Sequence, residues 1–215
     1  MTGRHFLRIM LADDHAFVRS GIRRFLEQDS RFSVVAEAET GERAYQLYGE
    51  HLPDVCIIDL SMPGLGGMEA IRKIVARYTK ATILVLSMHD NAAFCYQALN
   101  AGAKGYLAKN SLAEELVDAI DTVIKGQIYV SSDIGRKIAA QRLDSNSHPM
   151  IQLSVREFEI FRMLAEGLDI YEIASSLSIS SKTVANYQTI IREKLDISSP
   201  VGLVRLAIRF GIIET

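Results

Sequence analysis

The chain has 215 residues, 48 % of them hydrophobic, and a formal net charge of −2. That length fits one large or two ordinary domains, and the apolar fraction excludes a disordered chain. The charge excludes bulk attraction to nucleic acid or membrane, so any such binding needs a local patch. The longest apolar runs are strand-sized, short of the ~20 residues of a membrane helix. The early stretch LRIMLADDH meets acids too soon for a signal peptide. Cys56 and Cys95 lie in apolar surroundings and read as reduced core residues of a cytoplasmic protein with no membrane contact.

Strand-like apolar runs are expected at residues 7–11, 32–36, 55–58, 83–86 and 105–107. Helical stretches alternate with them at 16–28, 42–51, 68–78, 92–101 and 113–125. Five βα units of this kind predict an α/β domain, a doubly wound parallel sheet of five strands with helices on both faces. A short strand at 127–130 and a polar helix at 133–142 follow, and then DSNSHPM, a polar stretch that ends near Pro149 and suits a linker. From Leu153 onward only helices are expected, near 155–166, 171–177, 181–195 and 201–210. The division is therefore 1–128, a connector over 129–150, and an all-α four-helix domain over 151–215.

In an open parallel sheet, ligands bind beyond the carboxyl ends of the strands, where strand order reverses. Asp13 and Asp14 close the first strand and Asp59 the third; in a 2-1-3-4-5 order those strands are neighbours. Three carboxylates converging on one crevice would repel each other and raise their pKa values. A hard divalent cation relieves that repulsion, and Mg²⁺ suits one or two carboxylates plus water. The plainer alternative makes Asp14 the N-cap of the helix that begins at Ala16. Ser87 ends the fourth strand and Lys109 follows the fifth, a hydroxyl and an ammonium suited to an anion mounted on Asp59. Carboxylates can accept phosphoryl groups covalently. The loop SMPGLGG after Asp59 gives access to it.

With these residues in place, the stretch 5–125 resembles a response-regulator receiver domain. The resemblance implies a phosphoacceptor at Asp59 and Mg²⁺ held by Asp14 and Asp59 directly, by the backbone carbonyl of Ser61, and by Asp13 through water. It implies Lys109 as the invariant lysine, Ser87 as the switch hydroxyl and Tyr106 as the switch aromatic. Asn110 departs from the proline that many receivers carry after the lysine. An aspartyl-nucleophile phosphatase usually has a second acid two residues on, where Ser61 stands here, so an enzyme is not expected.

In the C-terminal part, 171–177, the turn Ser178-Ile179-Ser180 and 181–195 have helix-turn-helix proportions. With Val184 facing inward, Gln188, Ile191 and Leu195 share its face. Lys182, Ala185, Asn186, Thr189 and Glu193 lie opposite, an arc suited to a major groove or, more plainly, to solvent. Residues 151–215 hold seven Lys plus Arg against eight Asp plus Glu, 7 − 8 = −1, so phosphate attraction must come from a stripe. Lys182, Arg192 and Lys194, with Arg205 and Arg209, could supply it. The last helix carries Leu203, Val204, Leu206, Ala207 and Phe210, more apolar surface than one face needs.

LSVREFEIFRMLAEG, EIASSLSISSKTVANY, REKL and LVRLAIRFGII resemble the LuxR-type helix-turn-helix over 151–213. Ala185 and Tyr187 stand where relatives commonly have lysine and histidine, and DIYEIA replaces an SNKEIA-like stretch. The whole chain thus resembles a NarL/FixJ-family response regulator. That implies a flavodoxin-like receiver and a phosphorylation-dependent transcription regulator of a two-component system. It further implies a sensor histidine kinase, double-stranded promoter DNA and a second copy of the chain as partners, with RNA polymerase a further candidate. Lys182, Thr183, Ala185, Asn186, Tyr187, Thr189, Arg192 and Lys194 are the implied DNA contacts. A regulator that ignores phosphorylation and uses its receiver only to dimerise is the alternative.

Overall fold

The computed structural model describes residues 6–143 and 149–213. In chain order they form β1 (Leu7–Ala12), α1 (Ala16–Leu26), β2 (Phe32–Ala38), α2 (Gly41–His51), β3 (Val55–Ile58), α3 (Gly67–Arg77), β4 (Ile83–Ser87) and α4 (Ala92–Asn100). Then come β5 (Gly105–Ala108), α5 (Leu112–Val123), β6 (Tyr129–Val130), α6 (Ser132–Leu143), α7 (Val155–Ala165), α8 (Ile170–Ser176), α9 (Ser181–Leu195) and α10 (Pro200–Arg209). Two compact units result: residues up to 89 with 101–131, and residues 90–100 with those from 132 onward. The expected linker falls largely on 144–148, outside the described residues; its end, Pro149–Gln152, is a 3₁₀ turn.

In the first unit all strands are parallel, in the order β2-β1-β3-β4-β5-β6. The sheet therefore has six strands, not five. The two residues of β6 pair with Gly105 and Tyr106 of β5, a pairing set by the neighbouring edge and only faintly marked in the local sequence. Every residue of β3 is buried, as an inner strand covered on both faces must be. Burying each large aliphatic side chain contributes roughly 1.5–3 kcal/mol, so a charge placed at Ile57 would break the sheet at its centre. One face packs Ile9, Leu11, Ile57, Leu84 and Leu107 against Leu116 and Ile120 of α5 and Ile22 and Leu26 of α1. Cys56 and Cys95 are free and buried, and burial pushes both thiols up to about 12.

The second unit contains α4, α6 and the four C-terminal helices. Its helix starts are written in the sequence. Ser154 and Asp169 each close a reciprocal capping box, with Glu157 and Glu172 reaching back to the cap backbone. Ser180 caps α9 and Ser199 caps α10, where Pro200 occupies the first turn without losing a needed N–H. Phe158, Phe161, Ile173, Val184, Ile191 and Leu203 form the interior. Lys194 donates to Glu157 Oε2 at 2.6 Å, tying α9 to α7.

Candidate functional site

Ala12 of β1 and Ile58 of β3 are register partners, so the next residues, Asp13 and Asp59, leave the sheet side by side. Both are buried, 3 % and 2 % exposed. Lys109, just past β5, reaches across: its Nζ is 2.8 Å from Asp59 Oδ2 and 2.6 Å from Asp13 Oδ2. Asp59 Oδ1 accepts the Ser61 N–H at 3.3 Å. Burial raises the Asp59 carboxyl above the usual range, and the neighbouring Asp13 charge adds to the rise, against the pull of Lys109. Burial works to lower Lys109, yet bonds to Asp13 and Asp59 leave its ammonium raised and charged.

Asp14 does not cap the first helix. The N-cap of α1 is His15, and its side chain makes no capping bond. Asp14 Oδ1 lies 2.9 Å from His15 Nδ1, in a geometry that makes no hydrogen bond, and it has no hydrogen-bond partner among the described residues. His15 Nδ1 is also 3.2 Å from Asp13 Oδ1. One ligand atom each from Asp13, Asp14, His15 and Asp59 falls within 4.8 Å of the others. An under-bonded carboxylate beside two more, at hard-oxygen chemistry, fits a divalent cation. The sequence reading missed His15, although it directly follows the acidic pair.

The loop after Asp59 is built around close approach. Gly66 has φ of 74°, a left-handed conformation suited to glycine, and a Cβ on Gly67 would collide with the Asp59 carbonyl oxygen. The glycines of the loop thus let α3 start against the end of β3. Ser87, fully buried, accepts the His89 N–H at 3.1 Å. Tyr106 is buried too, and its hydroxyl donates to the His89 carbonyl at 2.7 Å. Ser61 Oγ and His89 Nε2 lie 3.3 Å apart. The expected crevice residues therefore gather in one place, joined by His15 and His89.

On α9, Lys182, Asn186 and Thr189 are exposed, while Val184 and Ile191 are buried. Thr183 is taken up by the helix start, its N–H and hydroxyl both on Ser180 Oγ. Ala185, Tyr187 and Arg192 are half-buried, and the Thr189 hydroxyl donates to the Ala185 carbonyl. Lys194, expected as a DNA contact, is exposed and pairs with the buried Glu157 at 2.6 Å. No helix among the described residues is long and apolar enough to cross a membrane.

Comparison with known proteins adds identity to this geometry. Residues 9–121 match the response regulator receiver domain, and residues 151–207 match the bacterial regulatory proteins of the luxR family. The chain is 39 % identical over 208 residues to the response regulator UvrY of Escherichia coli K12, covering 96 % of this chain and 95 % of that one. It is 38 % identical to the oxygen regulatory protein NreC of Staphylococcus epidermidis, covering 97 % and 100 %. A solved structure of RcsB from Salmonella enterica serovar Typhimurium, bound to promoter rprA with phosphomimetic BeF₃⁻, matches with a TM-score of 0.73 at 26 % identity, over 94 % and 98 % of the chains. A parallel-sheet receiver and a helix-turn-helix domain in one chain, matched over nearly full length by such relatives, make this protein a member of the NarL/FixJ family of two-component response regulators, DNA-binding transcription regulators rather than enzymes.

Proposed function

We propose that Asp59 accepts the phosphoryl group, from a sensor histidine kinase or a small acyl phosphate, and that the C-terminal helices bind promoter DNA in response. The observation that supports it most is the buried Asp59 carboxylate held at 2.8 Å by Lys109, beside a second carboxylate that the same ammonium restrains. An Asp59 oxygen attacks phosphorus, and the donor leaves with the bonding electron pair. Lys109 stands where it can follow the charge onto the phosphoryl oxygens. Asp14, Asp59, the Ser61 carbonyl and, through water, Asp13 would hold Mg²⁺, which when bound neutralises charge on the incoming phosphoryl group. Ser87 and Tyr106, meeting at the backbone of His89, would read the new group.

For DNA, exposed Lys182 sets position against phosphate and exposed Asn186 reads a base, with Ala185 and Thr189 beside it. Val201 and Ile208 of α10 are 61 % and 38 % exposed, a surface on which a second copy would sit to pair half-sites. Two free, buried thiols agree with a cytoplasmic setting. The test is Asp59→Asn, which keeps shape and removes the nucleophile. Acetyl phosphate labels the wild type and leaves the variant unlabelled at unchanged circular dichroism. Base-labile label on the variant would mean that another residue is the acceptor.

A further inference from the structure

His15 follows Asp14 directly and stands at the N-cap of α1, yet its side chain caps nothing. Its backbone is pinned at both ends: the N–H donates to Asp13 Oδ1 at 2.8 Å, and the carbonyl accepts the Arg19 N–H at 3.0 Å. Asp13 is pinned in turn, its N–H donating to the Ala38 carbonyl at 3.0 Å. The ring therefore leaves a fixed backbone and turns to the carboxylates rather than to the helix end. Its Nδ1 lies 3.2 Å from Asp13 Oδ1 and 2.9 Å from Asp14 Oδ1, although the side chain is 59 % exposed and has solvent on offer.

One proton does not account for this arrangement. A proton on Nδ1 bonds Asp13 Oδ1 and leaves Asp14 Oδ1, the nearer oxygen, with no hydrogen bond among the described residues. A cation shared by all three atoms does account for it. Ligands at right angles on a cation, with bonds of about 2.0–2.2 Å, lie about 3 Å apart. The two separations, 2.9 and 3.2 Å, straddle that value. Lys109 meets Asp13 and Asp59 on their Oδ2 atoms, so its ammonium and a cation beside His15 take different oxygens of Asp13. Coordination uses the neutral imidazole, with Nδ1 bare and the proton on Nε2.

We propose that His15 is a nitrogen ligand of the crevice, and that through it the crevice prefers a divalent transition cation of the Fe²⁺ or Zn²⁺ class to Mg²⁺. The proposal rests on the reading that Asp14 and Asp59 hold a divalent cation. Asp13, Asp14, Asp59 and His15 offer three oxygens and one nitrogen within 4.8 Å of one another. The oxygens alone suit Mg²⁺, a hard ion that gains little from a nitrogen. An imidazole suits the borderline transition ions, so the fourth atom strengthens their binding and leaves that of Mg²⁺ as it was.

Co²⁺ is a probe of that class that reports its own ligands. An imidazole bound to it through Nδ1 gives a far-shifted, solvent-exchangeable proton resonance from its Nε2–H. The full chain loaded with Co²⁺ is expected to show such a resonance in H₂O, absent in D₂O and missing from His15→Gln. Calorimetry of the same proteins in mildly alkaline buffer reads the preference. Co²⁺ affinity is expected to fall at least ~10-fold in His15→Gln, the low end of what a lost partner costs at a metal site, with Mg²⁺ affinity unchanged. A general loss of fold would lower both, so the ratio reports the ligand alone; His15→Ala serves in the same way where the glutamine amide oxygen takes the vacated position. No shifted resonance from the wild type, a spectrum unchanged in His15→Gln, or equal losses on Co²⁺ and Mg²⁺ would overturn the proposal and leave His15 a hydrogen-bond partner of Asp13. Failure of the wild type to bind either cation would instead remove the metal site, and the proposal with it.

Discussion

Gly67 shows how tightly single residues are constrained around Asp59. Its missing Cβ makes room for the Asp59 carbonyl, so Gly67→Ala must push either α3 or the end of β3 aside. Overpacking of this kind costs about 1–3 kcal/mol, or roughly 2–4 °C of melting temperature per kcal/mol in a chain this size. Differential scanning calorimetry should record that loss together with slowed labelling by acetyl phosphate; an unchanged melt would mean that the loop yields freely. Glu157 carries a second residue-scale prediction. Burial works to raise its carboxyl, but Lys194 and the Ser154 backbone outweigh burial and hold it below the ordinary 4.5. A carboxyl depressed on folding adds stability above its unfolded pKa, and that stability is lost as pH falls through the folded value. Glu157→Gln should therefore destabilise the protein by about 1.5 kcal/mol near neutrality, the value of one charged hydrogen bond. The difference should shrink below pH 4.5, and denaturant melts across that range would show it; a constant gap would assign the loss to packing.

At the level of elements, α9 is expected to divide its outer face by role. Lys182, in the first turn, is exposed and suited to phosphate, whereas Asn186, one turn on, can bond adenine N6 and N7 together. Lys182→Ala should weaken specific and nonspecific duplexes alike and lower the salt slope by about one. Asn186→Ala should cost roughly 1–3 kcal/mol on the specific site alone. Isotherms at several salt concentrations separate the two, and equal losses on both duplexes for Asn186→Ala would show that it reads no base. The element boundaries were legible where a local signal marks them. Ser154, Asp169, Ser180 and Ser199 announce helices, and the apolar run of β3 announces a buried strand. Strands β1, β2, β4 and β5 run one or two residues past the expected stretches, to Ala12, Ala38, Ser87 and Ala108, because ladder bonding to a neighbour continues past the large apolar side chains that mark a strand in the sequence.

Across the whole molecule, the crevice was legible where its residues sit at strand ends, which are visible in a sequence; Tyr106 lies inside β5 and came from the resemblance alone, and His15 and His89 carried no such signal. Asp13, Asp59, Ser87 and Lys109 needed only the strand order to be brought together. What α4 packs against was not legible: AAFCYQALN tells that the helix is buried, but not that Gln97 would find its partners more than fifty residues away. The ion pair of Lys194 was invisible for the same reason, since its partner Glu157 lies on another helix. The two ends of the chain are coupled in this reading: charge placed on Asp59 is expected to control how the C-terminal helices bind DNA. Fluorescence anisotropy of the full chain on a duplex obtained by selection with it, with and without acetyl phosphate and Mg²⁺, measures this coupling. The wild type should bind ~5–150-fold more tightly when phosphorylated, the usual span of coupling between two sites, and Asp59→Asn should not respond. Identical isotherms for the wild type with and without a phosphoryl group shown by mass to be present would mean that Asp59 and the DNA-binding helices are uncoupled.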